Sequence, residues 1–318
     1  MRIVYLLALI GLFASDPAWA TFSIIACEPS GSCGAAVATN NLAVGATVIY
    51  AQAGIGAVAS QFETNPSYGP KGLALLKSGL SAQDAVAELI RTDNGFEGQD
   101  ASFRQVGVVG LANSGAAYTG KEAMASPWAG SLTGPGYAIQ GNGLRSGAVL
   151  EDMRDAFLKT KGLLADRLVA ALEAGQAAGG QTTGKLSAAL LVRTPAGGFQ
   201  DTDLRVDASD APVPELRRLL GMYEANGAMS RAERAARSGQ TAAARAALAE
   251  AVYLGSGWDR IWRRAARLQM TLGSSDGAIQ ALAAFAHLNP SWAKSEMKDP
   301  VFAPLRSNSA FTALQSQP

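Results

Sequence analysis

Thr21 is the residue on which chemistry would centre. It follows Ala18-Trp19-Ala20, a small-residue cleavage signal, so export would leave Thr21 as the first residue of the mature chain, with a free α-amine beside its own hydroxyl. A Thr hydroxyl is a weak nucleophile at its free pKa, but an α-amine titrates near ~8 and can take the proton as attack begins. One residue then supplies both nucleophile and base. Acyl transfer from an amide is the reaction such a pair serves, and its tetrahedral oxyanion needs donors about 3 Å away. Asn142 is the first candidate and Gln140 the second, because Gln140-Gly141-Asn142 ends a strand in a glycine-flanked turn. Ser23, two residues from Thr21, falls on the same strand face, where its hydroxyl would orient the amine. Tyr68 and Trp128 are the candidate pocket walls. Structural roles compete at each position: turn-capping amides, a small polar filler, aromatics folded under their own loops.

Composition narrows the classes. The 318 residues are 48% hydrophobic and 17% charged, which favours a globular chain over a disordered one. A formal charge of +1 gives no global field for nucleic acid or an anionic membrane, and neither is expected as a partner. The single histidine, His287, lies in an Ala-rich helical stretch far from the main body, which argues against a Ser-His-Asp triad or a multi-histidine metal site. No cofactor or resident metal is called for. Asp201, Asp203 and Asp207 would hold a cation or, more simply, mark the solvent face of a strand.

Residues 1–20 have the parts of a signal peptide: Arg2, an apolar run from Ile3 to Ala14, then the Ala-x-Ala site. A periplasmic or secreted location follows, with no membrane span after cleavage. Only two cysteines exist, Cys27 and Cys33, separated by the turn formers Glu28-Pro29-Ser30-Gly31-Ser32. In an oxidising compartment a disulfide across a hairpin is the expected state, and a two-ligand metal site the alternative.

The elements that must hold Thr21 come next. Segments 22–26 and 34–39 read as a buried strand pair, and tying the terminus into a sheet would make it rigid. Segment 44–61 reads as strand, tight turn, strand, its glycines serving either sheet packing or backbone approach to a ligand. Helices are expected at 71–77 and 82–91, the second with Ser81 as N-cap and Asp84 three residues on. A hairpin at 105–119 turns at 113–115, and 137–140 is the next strand. Helices at 148–159 and 164–177 show apolar spacing of three and four; strands at 187–193 and 199–206 close the series. Helices arriving in pairs between strands argue for two antiparallel sheets packed face to face with helices outside, a four-layer αββα sandwich in an α+β fold. The expected domain spans 21–222.

From 223 to 318 the chain is helix-forming Ala, Arg, Leu and Glu, with helices at 230–237, 241–254, 258–272 and 276–288. These look like helix-turn-helix units of tetratricopeptide type, an all-α helical-repeat-like domain that would take a protein partner.

Several segments carry a family resemblance: Thr21-Phe22-Ser23-Ile24-Ile25-Ala26, Gly34-Ala35-Ala36-Val37-Ala38, Asn65-Pro66-x-Tyr68-Gly69-Pro70-x-Gly72-Leu73, Arg104-Gln105-Val106-Gly107-Val108-Val109, Thr119-Gly120, Trp128-Ala129-Gly130, Gln140-Gly141-Asn142-x-Leu144 and Ser187-Ala188-Ala189-Leu190-Leu191. In this order, over about 21–222, they resemble a widespread bacterial family of unknown function described as Ntn-hydrolase-like, Ntn standing for N-terminal nucleophile. The resemblance implies the same αββα sandwich and places Thr21 at the nucleophile position. This chain departs at Cys27, where the family usually carries Arg, and at Cys33, usually aliphatic or polar. Two readings of function follow. One is an exported amidohydrolase or peptidase-like enzyme acting on a small-molecule or peptide amide; the alternative is a non-catalytic periplasmic binding or assembly module on an Ntn-like scaffold.

Overall fold

Alternation along the strands decides where each side chain goes. The computed structural model describes residues 20–111 and 114–316. The expected leader, apart from Ala20, and Asn113 of the expected turn lie outside the described residues. The chain divides into two compact units, one ending at Leu216 and the other beginning at Arg217.

In the first unit the strands are β1 (Thr21–Cys27), β2 (Cys33–Thr39), β3 (Ile49–Gln52), β4 (Gly56–Phe62), β5 (Arg104–Gly110), β6 (Ala116–Thr119), β7 (Gly130–Gly134), β8 (Tyr137–Asn142), β9 (Ser187–Arg193) and β10 (Thr202–Val206). They form a six-stranded sheet in the order β10-β9-β2-β1-β8-β7 and a four-stranded sheet in the order β3-β4-β5-β6, with antiparallel pairing throughout. Helices α1 (Tyr68–Lys77) and α2 (Ala82–Arg91) lie on the smaller sheet. After the short α3 (Lys121–Met124), α4 (Ala148–Lys159) and α5 (Leu164–Ala177) lie on the larger one.

Strand β1 is buried along its whole length and sits in the middle of its sheet. Ile25 and Cys27 face the other sheet, where they meet Ala57, Ala59 and Val109. In the alternate phase of the strand, Ile24 and Phe22 turn the opposite way, Phe22 reaching α5 beside Gly175. Likewise Val58, Val106 and Val108 pack with Leu89 and Tyr68 under α1 and α2, while the intervening residues of β4 and β5 face β1 and β8. At Gly56 a Cβ would come 2.4 Å from both Leu76 and the Val109 carbonyl, so packing explains that glycine. Cys27 and Cys33 are register partners at the far end of the β1–β2 hairpin and are joined as a disulfide.

Sequence periodicity located most of the longer elements, with several differences. Residues 44–46 form a short 3-10 turn before β3, and residues 198–200 another before β10. Strand β7 was not expected: Gly-Ser-Leu-Thr-Gly has one large apolar residue, yet as a half-exposed edge it needs only backbone pairing to β8. The helix expected at 230–237 begins much earlier, in one continuous α6 (Pro212–Arg237) running through Gly221 and Gly227. Two glycines at about 1 kcal/mol each are outweighed by the helix formers around them and by packed Ala225, Ala228, Met229 and Ala232.

The second unit is all helical: the rest of α6, then α7 (Thr241–Leu254), α8 (Asp259–Thr271), α9 (Ser275–Leu288), α10 (Pro290–Glu296) and α11 (Ser309–Gln315). Small residues on facing helices, among them Ala251, Ala265, Ala266 and Ala278, let the axes approach around Phe285, Phe302 and Phe311. Arg263 and Arg267 both pair with the buried carboxylate of Glu296. No described helix is long and apolar enough to cross a membrane.

Candidate functional site

The layer between the two sheets changes character along β1. At the disulfide end it is apolar; at the Thr21 end it is a buried network of hydroxyls and amides. Thr21 is 4% exposed, and its Oγ1 lies 3.1 Å from Thr39 Oγ1, its register partner on β2. Thr39 donates its proton to the carbonyl of Ala20 at 2.8 Å and accepts the Asn41 N–H at 3.2 Å. While Ala20 is attached that proton is used there, so the Thr21 hydroxyl is the donor in the bond between them; removal of Ala20 frees the Thr39 proton and opens the bond to either direction.

Ser23, on the same face as Thr21, donates to Gln61 Oε1 at 2.6 Å rather than toward the terminus. Gln61 donates in turn to the Thr21 carbonyl at 3.2 Å and to Gln105 Oε1 at 2.7 Å. Gln105 occupies the centre: its oxygen also accepts from Asn142 Nδ2 at 2.8 Å, and its nitrogen donates to the Gly141 carbonyl at 2.9 Å and to Thr119. Because a backbone carbonyl can only accept, Gly141 fixes the orientation of Gln105, and Gln105 fixes that of Asn142.

Of the sequence candidates, Thr21, Ser23 and Asn142 come together in this network. Asn142 is the register partner of Thr21 on β8; one of its two side-chain N–H donors goes to Gln105, and its buried Oδ1 has no hydrogen-bond partner among the described residues. Gln140 lies further along, donating to the Ala59 carbonyl at 3.0 Å. Gly107 makes room for it: a Cβ there would stand 3.0 Å from Gln140 Oε1. Tyr68 and Trp128 do not reach Thr21. Tyr68 is on the helix-facing side of the smaller sheet, its hydroxyl 2.5 Å from Asp93, and Trp128 packs over Gly130 and Gly147.

A cavity of about 290 Å³ opens at Thr21 and Thr39. Leu42, Val44, Val48, Phe62 and Phe96 supply its apolar lining, and Asn41, Glu63 and Glu97 its polar lining. Among the described residues, the non-glycine residues with left-handed backbone are Ala43 (φ 53°), Phe62 (φ 65°) and Glu97 (φ 56°). Phe62 and Glu97 line the cavity, and Ala43 lies between Leu42 and Val44, which do. Such conformations cost about 1–3 kcal/mol each and concentrate where a surface must take a particular shape.

Arg104 holds that wall in place. Its side chain is 1% exposed, pairs with Asp93 at 3.0 Å, and donates to the carbonyls of Glu63, Phe96 and Gln99. Burial opposes ionisation of Asp93, but bonds from Tyr68, Arg104 and the Gly95 N–H outweigh it and hold the carboxyl below its usual range. Burial and then the bond to Asp93 push the Tyr68 hydroxyl well above its ordinary range.

With this geometry in view, the comparisons are informative. The profile of a family described as "Family of unknown function (DUF1028)" matches residues 21–216. The chain belongs to this family. A crystal structure of a DUF1028 protein from Silicibacter pomeroyi is 34% identical, with a TM-score of 0.57 over 63% of this chain and 88% of that one. No curated protein matches. The DUF1028 region thus begins at Thr21 and takes in both sheets with the whole amide network.

Gln61, Gln105, Thr39, Asn41 and Arg104 are the members of the site that sequence reasoning missed. Gln61 and Gln105 fall in the inward phase of their strands, two residues from Ala59 and Gly107, and that phase was the one available signal.

Proposed function

We propose that this DUF1028 protein is an exported amidohydrolase whose mature N-terminal residue, Thr21, is the nucleophile, built on a four-layer αββα sandwich of the Ntn-hydrolase kind. One observation carries the reading. The residue that follows an Ala-x-Ala site is also the first residue of the central buried strand, with its hydroxyl held by Thr39 at the edge of a cavity. An ordinary exported terminus has no such anchoring. The packing of α1 and α2 on one sheet, α4 and α5 on the other, and sheet against sheet supports the four-layer reading.

In the proposed reaction Thr21 Oγ1 attacks the amide carbonyl carbon while its proton passes to the Thr21 α-amine. That proton then goes to the leaving amine as the C–N bond breaks, leaving an ester on Thr21. Water adds to the ester and releases the acid, restoring the hydroxyl. The buried Oδ1 of Asn142 is an acceptor without a partner among the described residues, which suits the terminal ammonium. Asn41, which lines the cavity, is the candidate donor to the carbonyl oxygen.

The test begins with the exported protein. Its first residue, read by N-terminal sequencing and intact mass, is expected to be Thr21 with an unblocked amine. A β-lactone acylating probe is expected to label that residue, and Thr21→Ala to abolish labelling. A mature chain beginning elsewhere, or one that Thr21→Ala labels equally well, would sink the enzyme reading in favour of a binding module.

A further inference from the structure

The cavity in front of Thr21 is lined by two carboxylates, Glu63 and Glu97, and by no Lys, Arg or His among the described residues. Neither carboxylate has a hydrogen bond or ion pair within the described chain, whereas the loop acids Glu28, Asp93, Asp100 and Asp201 are each paired or capped. Arg104, the nearest cation behind Glu63, is committed to Asp93 and to backbone carbonyls. Two like charges therefore share one small opening with no Lys, Arg or His against them among the described residues, and the Thr21 α-amine freed by processing would be one positive group against the two. Burial pushes the Glu63 carboxyl above its usual range; the Arg104 charge opposes this and the Glu97 charge adds to it. Both glutamates are held by unusual backbone: Glu97 is itself left-handed, and Glu63 follows left-handed Phe62.

The other walls narrow the ligand further. Leu42 and Phe96, exposed by 68% and 36%, flank the mouth, with Val44 and Val48 deeper in. At about 290 Å³ the cavity lies at the low end of the ~300–1,000 Å³ common for ligand sites, so it takes one residue-sized group rather than a long polymer segment. Among the described residues no group of three or more His, Cys, Asp or Glu that could hold a metal ion occurs, and the apolar walls would add nothing to one. An organic cation uses both, its charge on the glutamates and its stem against Phe96 and Leu42.

We propose that the group entering this cavity is an alkylammonium or guanidinium on a short apolar stem, and that Glu63 and Glu97 select it. The substrate class is then an amide of a basic amino acid or of a diamine, with the scissile carbonyl at Thr21. This rests on the reading of Thr21 as nucleophile for its catalytic part, and on the cavity alone for its binding part.

The experiment measures both. The mature exported protein is offered lysyl and arginyl coumarylamides and N-acetylagmatine, beside norleucyl coumarylamide and N-acetylpentylamine as neutral counterparts. Cationic members are expected to be favoured about tenfold or more in kcat/KM, with the preference shrinking as salt is raised. Glu63→Gln combined with Glu97→Gln should bring the cationic-to-neutral ratio of kcat/KM close to one. Equal use of both sets, or a preference that survives the double substitution, overturns the proposal and leaves the hydrolase reading standing. In parallel, binding of lysinamide and agmatine against norleucinamide is followed by calorimetry on Thr21→Ala. Selective cation binding lost in the double variant, without any turnover by wild type, supports the cation site and refutes the hydrolase. No selective binding and no turnover overturn both.

Discussion

Thr39 and Thr21 face each other across β1 and β2 with their hydroxyl oxygens 3.1 Å apart, and either hydroxyl can donate once removal of Ala20 frees the Thr39 proton. A hydroxyl bonded to the proposed nucleophile fixes its rotamer and aims its lone pairs. Thr39→Val keeps the volume and removes that partner. Labelling of Thr21 by an acylating probe should slow about tenfold to a hundredfold, with melting changed by only a few degrees, and Thr39→Ser should restore most of the rate. A lower melting temperature with labelling unchanged would make Thr39 merely structural.

Arg104 and Asp93 are the buried ion pair behind the cavity wall, 1% and 6% exposed at the side chain. Arg104→Met strands the carboxylate and frees the Glu63, Phe96 and Gln99 carbonyls, so a loss of about 3–5 kcal/mol in urea unfolding is expected. Arg104→Lys should recover little, since one ammonium cannot span the guanidinium's positions. The pH dependence has a definite sign. Asp93 has a folded pKa below its unfolded value, so its contribution is present above the unfolded pKa and is lost as pH falls through the folded one. Stability of the wild type should fall in that acid window more steeply than stability of Arg104→Met.

Gln105 accepts from Gln61 and Asn142 and donates to the Gly141 carbonyl, all in a layer closed to solvent. Gln105→Leu leaves two buried amide donors without acceptors, at about 1–3 kcal/mol each. Gln105→Glu keeps the acceptor but sets a carboxylate oxygen against the Gly141 carbonyl, so its charged form is disfavoured. With a folded pKa above the unfolded value, the introduced carboxyl should destabilise the protein at neutral pH and do so progressively less as pH falls toward the unfolded pKa. A pH-independent penalty in thermal melts would contradict this arrangement.

How much of this was legible in the sequence depends on what each residue type announces. The Ser81 cap with Asp84 is local chemistry, and it holds as read, the Asp84 N–H meeting Ser81 Oγ at 3.1 Å. Apolar spacing placed α4, α5 and β9 at their observed bounds because each carries a clear buried face. Arg104, Gln61 and Gln105 announce the opposite of what they do. A charged or amide residue on a strand reads as solvent-facing, and partners brought in by the fold, such as Asp93 and Glu63 for Arg104 and Thr21 for Gln61, satisfy it inside. The cavity acids were equally invisible, since their setting depends on left-handed backbone at Phe62 and Glu97 that neither residue type favours.

Thr21 is asked to supply two functions, and they can be removed separately. Thr21→Ala removes the hydroxyl and leaves the strand, whereas acetylation of the terminus, or one retained leading residue, removes the basic amine without touching a side chain. Both should abolish turnover and acylation. Neither should change the melting temperature much, because Thr21 contributes one small side chain to a strand held by pairing on both sides. Thr21→Ser should remain measurably active, losing only the methyl that restricts the rotamer. Acylation by wild type should fall as pH drops through the amine's pKa, near ~8 for an unperturbed terminus, since the protonated amine cannot accept the hydroxyl proton. Asn142→Asp offers a check on the amine's partner: a carboxylate beside the ammonium favours its charged form, so the fall in rate should begin at higher pH. A profile that Asn142→Asp leaves unmoved, or full activity in the acetylated protein, would take the α-amine out of the mechanism.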